Sequence, residues 1–127
     1  MKQVKKYADS DFFLGLMKDS DWLKEKAKKV YNQNKNEIYV SPFTIAEIMI
    51  VCKREEIPIK EALIQISRIS KLENISWNVF FTACDYIEKG ATIFDALVMS
   101  FCGKENQIIS SDNVYKKFGF DVIDLRK

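Results

Sequence analysis

The stretch Ala91-Thr-Ile-Phe-Asp-Ala-Leu-Val-Met-Ser-Phe-Cys102 predicts a helix buried in the core, because apolar side chains fill most of its positions. Asp95 is the residue that does not suit this environment. Burying a carboxylate costs several kcal/mol unless it is paired, hydrogen-bonded or bound to a metal. No basic residue lies within one helical turn of Asp95. Asp95 therefore needs a partner from elsewhere in the chain.

The composition limits which chemistry such a partner can supply. The chain has 127 residues, of which 47% are hydrophobic, and this suffices for one domain with its own core. It contains no histidine, which excludes Ser-His-Asp and Cys-His catalysis and every metal site that uses an imidazole. Carboxylates must therefore carry any acid–base or metal chemistry.

The cysteines and the apolar runs indicate where the protein works. Cys52, Cys84 and Cys102 are widely spaced in apolar segments without a CxxC motif, so we interpret them as small core residues in a reducing compartment. No apolar run approaches the roughly 18 residues of a membrane span, and no targeting segment is visible. We expect a cytoplasmic protein without a membrane partner.

Strands and helices alternate along the chain. Strands are predicted over residues 4–8, 38–40, 107–110 and 120–125. Helices are predicted over residues 12–18, 21–34, 42–54, 58–69, 77–89, 93–102 and 113–118. This alternation favours an α/β fold with a parallel sheet covered on both faces. Since neither repeats nor linkers divide the chain, we treat residues 1–127 as one domain.

Several predicted helices begin with recognisable capping residues. Ser41-Pro42 has the form of an N-cap followed by the first helical residue. Ser20 and Asp21 can cap the second helix, and Thr92 can cap the helix that carries Asp95.

Four acids fall at the same edge of the predicted sheet. Asp9 and Asp112 follow the first and third strands, whereas Glu47 and Asp95 lie in the first turns of helices. Ligands of such sheets bind beyond the carboxyl ends of the strands, where these acids converge. Clustered carboxylates repel one another unless cations neutralise them, and oxygen-only ligands select Mg²⁺ or Mn²⁺ over zinc. The constellation predicts phosphoryl chemistry that depends on a divalent metal.

Each acid also has a purely structural interpretation. Thr92-Ile-Phe-Asp95 has the form of a capping box, in which Asp95 returns a hydrogen bond to the backbone. Glu47 shares a helix face with Arg54 and can point to solvent. Asp11 and Asp112 can cap the helices that follow them. These interpretations do not explain why four acids meet at one edge of a histidine-free protein.

The segments that carry the acids resemble a known family. They are Tyr7-Ala-Asp9-Ser-Asp11-Phe-Phe-Leu, Ser41-Pro-Phe-Thr-Ile-Ala-Glu47-Ile, Gly90-Ala-Thr-Ile-Phe-Asp95-Ala-Leu and Ile108-Ile-Ser-Ser-Asp112. Their order and spacing resemble the four acidic motifs of PIN-domain ribonucleases over nearly the whole chain. The size of the chain is most similar to the VapC type, the toxin half of bacterial and archaeal toxin–antitoxin pairs.

The resemblance implies a three-layer α/β/α sandwich around a mainly parallel sheet of four to five strands. It implies a metal-dependent endoribonuclease site in which Asp9, Asp95 and Asp112 hold Mg²⁺ or Mn²⁺. Glu47 would complete the site directly or through water, and the Ser110 hydroxyl would support it.

Two further positions depart from the family pattern. Asp11 stands where the family often has asparagine, so it either joins the site or caps a helix. Asn113 follows Asp112 where a basic residue is frequent.

The resemblance also implies a reaction and partners. The reaction is hydrolysis of single-stranded or loop RNA, leaving a 5′-phosphate and a 3′-hydroxyl without a side-chain nucleophile. The partners are a small antitoxin, whose basic tail fills the acidic cleft, and a second copy of the chain packed on apolar faces of the middle helices. Cations at the rim of the cleft would hold the RNA backbone. The candidates are Lys53, Arg54, Lys116 and Lys117.

Three other functions compete with this interpretation. A receiver-type phosphoacceptor needs a phosphoacceptor Asp after a middle strand, but Ser-Pro follows residues 38–40. A non-catalytic RNA-binding scaffold of the same fold gains nothing from clustered negative charge. A PIN-type nuclease that matures ribosomal RNA or cuts DNA stays open, because only analogy favours the toxin.

Overall fold

A parallel sheet of five strands forms the centre of the computed structural model, which describes residues 4–18 and 21–127. The spatial order is β3-β2-β1-β4-β5. The strands are β1 (Lys6–Ala8), β2 (Ile38–Val40), β3 (Lys71–Leu72), β4 (Gln107–Ser110) and β5 (Asp121–Asp124).

Helices connect the strands and cover both faces of the sheet. The helices of the described residues are α1 (Ser10–Met17), α2 (Lys24–Gln33), α3 (Pro42–Arg54), α4 (Ile59–Ile69), α5 (Trp77–Glu88), α6 (Ile93–Cys102) and α7 (Val114–Lys117). None of these helices has the length and apolar character needed to cross a membrane. The α/β/α sandwich expected from the sequence is confirmed.

The core consists of two layers because strand residues alternate between the faces of the sheet. Ala8 and Ile109 contribute to one layer, together with Phe12 of α1 and Ile48 of α3. Tyr7 and Ile108 contribute to the other layer. Its further members include Met99 of α6 and Tyr115 of α7.

The strand order places β1 and β4 side by side at the centre of the sheet. The chain leaves β1 toward β2 on one side and returns to β4 on the other, so a crevice opens between the loops that follow them. Tyr7 pairs with Ile108 and Ala8 with Ile109, and the Asp9 N–H donates to the Ile109 carbonyl at 2.9 Å. Asp9, directly after β1, and Ser110, the last residue of β4, are therefore neighbours at the carboxyl end of the sheet.

Local capping signals fix the helices that border this crevice. The Ser41 hydroxyl accepts from the N–H groups of Phe43 and Thr44 at 3.0 and 3.2 Å. The Thr92 hydroxyl accepts from the Asp95 N–H at 3.3 Å, so both predicted caps are confirmed. Helix α2 begins later than predicted, at Lys24, and the predicted cap Ser20 lies outside the described residues.

Three expectations from the sequence are wrong. Strand β3 is absent from the predicted strands, because a two-residue strand with both side chains exposed has no hydrophobic alternation. Cys84 is exposed on α5 and is not a core residue. Asp11 does not cap α1, which begins at Ser10 with Asp9 as its N-cap.

The apolar stripe of α5 is mostly exposed, although its spacing is that of a buried helix face. The side chains of Trp77 and Phe81 are 77% and 66% exposed, and only Ala83 of this helix is buried. Helix α5 packs against α6, and Phe80 contacts the Phe43 ring, but Trp77 and Phe81 stay largely exposed in the described chain.

Candidate active site

A cleft of about 280 Å³ opens beyond the carboxyl ends of β1 and β4. The structure thus brings together the four acids singled out in the sequence, which lie on a strand end, two helices and a loop. Asp11 adds a fifth carboxylate. The cleft is lined by Asp9, Ser10, Asp11, Glu47, Asp95, Ser111 and Asp112.

Asp9 is the most constrained of these acids. Its Oδ1 accepts from the Ser10 N–H at 2.9 Å, and its Oδ2 accepts from the Ser110 and Tyr115 hydroxyls at 3.1 and 3.0 Å. Burial, followed by the negative charge of Asp11, raises the pKa of the Asp9 carboxyl. The ionised form is therefore held in place at an energetic cost.

Asp11 faces the loop after β4. Its Oδ2 accepts from the backbone N–H of Ser111 at 2.8 Å and also from the Ser111 hydroxyl. Burial raises the pKa of the Asp11 carboxyl despite these bonds. Within the described residues, its Oδ1 is buried and has no hydrogen-bond partner. Such an atom is an acceptor available to a ligand.

Asp95 is half-buried at the start of α6. In the described chain its carboxylate accepts no bond from the Thr92 backbone N–H, so the reciprocal half of a capping box is missing. Its Oδ1 lies instead 3.4 Å from the Tyr115 hydroxyl. Burial raises the pKa of the Asp95 carboxyl. Its side chain thus lines the cleft, with Thr92 and Tyr115 beside its carboxylate.

Glu47 and Asp112 form the more open side of the cleft. Glu47 on α3 is partly exposed, and its charge contributes to the raised pKa of Asp9. The Asp112 N–H donates to Ser110 Oγ at 3.0 Å, and Asp112 Oδ1 accepts from the Val114 N–H at 3.0 Å. Ser110 therefore connects the loop of Asp112 to Asp9 through a single buried hydroxyl.

Tyr115 is a site residue that sequence reasoning missed. Its side chain is fully buried, yet its hydroxyl reaches both Asp9 and Asp95. The only sequence signal for this contact is general, because a core tyrosine must find a hydrogen-bond partner for its hydroxyl.

The predicted RNA-binding cations lie outside the cleft. Lys116 forms an ion pair with Asp124, and Arg54 lies 3.7 Å from Glu55. Lys53 and Lys117 are exposed. A cation that the sequence did not indicate, Arg126, donates to the Asn113 side-chain oxygen beside Asp112.

The residues of the cleft suit a hard divalent cation. All the side-chain atoms that could coordinate a metal here are oxygens. Among them, Asp11 Oδ1 accepts no hydrogen bond from the described residues and is available to a cation. In the described ranges no three acid, cysteine or histidine side chains converge tightly enough for a ready-made metal cluster. The carboxylates nevertheless line one cleft, where a bound divalent cation would offset their mutual repulsion.

A family model for the PIN domain matches residues 6–121. The chain belongs to the PIN-domain family. No curated protein gives a significant match to this PIN domain.

Solved structures similar to this PIN domain include a VapC toxin and toxin–antitoxin complexes. A Mycobacterium tuberculosis VapC toxin that cleaves the sarcin–ricin loop has a TM-score of 0.77 and 15% identity, covering 91% of this chain and 96% of its own. A toxin–antitoxin complex from Klebsiella pneumoniae has a TM-score of 0.76 and 15% identity, with coverages of 95% and 98%.

A DNA-bound VapBC complex from Salmonella typhimurium has a TM-score of 0.74 and 13% identity, covering 97% of this chain and 99% of its own. At such identities the likeness shows the fold. This PIN domain therefore has the fold of the VapC ribonuclease toxins.

We predict that Asp9→Asn stabilises the metal-free PIN domain. A carboxyl whose folded pKa is raised loses stabilisation as pH rises from its ordinary range, near 4, toward the raised value. Asparagine does not titrate and is an equally good N-cap. In urea unfolding with EDTA, the variant should exceed wild type by about 1 kcal/mol at pH 8 and by less at pH 5.

Glu25→Gln on the exposed face of α2 is the matched control and should show no such pH-dependent gain. A destabilised Asp9→Asn at pH 8 would contradict the assignment of Asp9 as a strained carboxylate.

Proposed function

We propose that this PIN domain is a divalent-metal-dependent endoribonuclease and the toxin of a toxin–antitoxin pair. The observation that carries the proposal is the gathering of five carboxylates in one cleft of a protein without histidine. Repulsion between these carboxylates lowers the stability of the folded chain. A bound cation would offset this repulsion, and this is the reason to expect a ligand in the cleft. We also infer that residues 1–127 act as one domain in the cytoplasm, where RNA and antitoxin are available.

Asp9, Asp95 and Asp112 would hold Mg²⁺ or Mn²⁺, and Glu47 would complete the site directly or through water. A bound divalent ion supplies an acidified water and stabilises the negative charge that develops on a phosphate. Ser110 keeps Asp9 and the Asp112 loop in register through its two hydrogen bonds. No side-chain nucleophile contributes, and hydrolysis leaves a 5′-phosphate and a 3′-hydroxyl.

The rim of the cleft beside Asp112 is the best-supported place for the RNA backbone. Arg126 contacts Asn113, and both Arg126 and Lys116 lie against the single carboxylate of Asp124. Two cations thus share one anion, so this cluster keeps a net positive charge. We rank Arg126, Lys116 and neighbouring Lys117 above Lys53 and Arg54 as phosphate contacts.

The proposed protein partners are an antitoxin and a second copy of the chain. Toxin–antitoxin complexes among the similar structures support the antitoxin, whose basic tail would complement the carboxylates of the cleft. The exposed aromatic face of α5 supports a homodimer, because residues such as Trp77 and Phe81 are typical of buried interface cores.

We predict that wild type cuts single-stranded RNA when Mg²⁺ or Mn²⁺ is added and does not cut it in EDTA. Asp95→Asn should lower the cleavage rate by at least about 100-fold, since even outer-shell partners of a metal ligand contribute 10–100-fold. Glu25→Gln should retain wild-type activity. End-labelled RNA resolves the rate and the chemistry of the new ends.

Cleavage that persists in EDTA, or in Asp95→Asn, would refute the metal-dependent mechanism. Cutting of DNA in place of RNA, or of ribosomal precursors alone, would favour the processing nuclease. If the protein binds RNA but never cuts it, the scaffold interpretation holds.

Arg126→Gln should weaken RNA binding in a salt-dependent way. Each phosphate contact contributes about 0.7 to the slope of log affinity against log salt for single strands, so the variant should lose roughly that amount. Fluorescence anisotropy in the inactive Asp95→Asn background measures this slope. Lys35→Gln removes an equal charge in the loop before β2, at the amino-terminal end of the sheet and away from the cleft, and should leave the slope unchanged.

Light scattering at micromolar concentration should give the mass of a dimer for wild type. A double substitution, Trp77→Gln with Phe81→Gln, should give the mass of a monomer because it removes the exposed apolar anchors of α5. A monomeric wild type would contradict the homodimer.

A further inference from the structure

We propose that Tyr115 is a positioning residue, whose hydroxyl orients the Asp9 and Asp95 carboxylates toward a shared ion. This inference deepens the proposed function and rests on it. Tyr115 lies outside the lining of the cleft and behind its floor, where its hydroxyl is the group that touches both acids.

The tyrosine ring is a rigid support for this hydroxyl. Its relative exposure is 0%, and it packs in the core layer that contains Met99 and Phe120. The Phe120 N–H also donates to the Tyr115 carbonyl at 3.0 Å, which ties α7 to the residue that precedes β5. A buried ring with fixed backbone has little rotational freedom. Its hydroxyl is therefore a fixed point behind the acids.

The two acids depend on this hydroxyl to different extents. Asp9 has two further hydrogen bonds, from the Ser10 N–H and the Ser110 hydroxyl. Asp95 makes no side-chain contact with Ser10 or Ser110 in the described chain, and Thr92 and Tyr115 are the groups that orient it. Loss of the Tyr115 hydroxyl should therefore release Asp95 more than Asp9.

One proton must serve two acceptors. A phenol has a single O–H, and at 3.0 Å from Asp9 and 3.4 Å from Asp95 it donates chiefly to Asp9. Asp95 Oδ1 then accepts the longer and weaker branch of the same hydrogen bond. This arrangement holds both acids near one another while leaving Asp95 oxygens free for a cation, as expected of a support and not of a ligand.

Tyr115→Phe tests the proposal because it removes the hydroxyl and keeps the buried ring. Isothermal titration of Mn²⁺ should show about tenfold weaker binding, within the 10–100-fold range typical of outer-shell groups. RNA cleavage should fall by a similar factor at low Mn²⁺ and recover when Mn²⁺ is saturating. A merely structural role would not be rescued by the metal.

Tyr86→Phe is the matched control. Tyr86 packs in the same core layer against Phe118 and Phe120, and its hydroxyl makes no hydrogen bond in the described residues. Its Mn²⁺ affinity and cleavage should equal those of wild type. Thermal unfolding in EDTA checks that both variants fold.

The outcomes separate this inference from the proposed function. If wild type binds Mn²⁺ and cuts RNA while Tyr115→Phe matches Tyr86→Phe, only the role of Tyr115 is refuted. If wild type neither binds Mn²⁺ nor cuts RNA, the proposed function and the role of Tyr115 are both refuted. If Tyr115→Phe fails to fold, the tyrosine difference spectrum of wild type tests the proposal instead. A spectrum that does not change when Mn²⁺ saturates the protein would refute the positioning role of Tyr115.

Discussion

The parallel pairing of β1 with β4 is the constraint on which the cleft depends. It sets Ala8 opposite Ile109, so the next residues, Asp9 and Ser110, lie within hydrogen-bond distance of each other. A shift of one residue would turn every strand side chain to the opposite face. The core residues Tyr7 and Ile108 oppose such a shift because they belong to the same buried layer. The packing of the sheet thus determines where the acids meet.

Folding and function place opposite demands on the carboxylates of the cleft. Burial raises the pKa of Asp9, Asp11 and Asp95, so their ionised forms lower the stability of the metal-free chain. Hydroxyl and N–H donors offset part of this cost. Ser10, Ser110, Ser111 and Tyr115 supply them. The surrounding sandwich supplies the remaining stability, which is why a chain of this size needs a well-packed core on both faces of its sheet.

Much of the fold could be predicted because its signals are local. Ser41, Thr92 and the two central strands are visible in short stretches of sequence, and the four acids follow from their positions at strand and helix ends. Strand β3, Tyr115 and Arg126 could not be predicted. Their placement depends on contacts between residues far apart in the chain, such as the Tyr115–Asp9 bond, and these leave no periodic pattern. Their functional roles stay predictions.

Strand β3 leaves little edge for another sheet to pair with. Edge strands expose unpaired backbone groups and invite pairing with another sheet. Here one edge of the sheet is only two residues long. An incoming strand would find few backbone groups at this edge, which disfavours a continuous intermolecular sheet there.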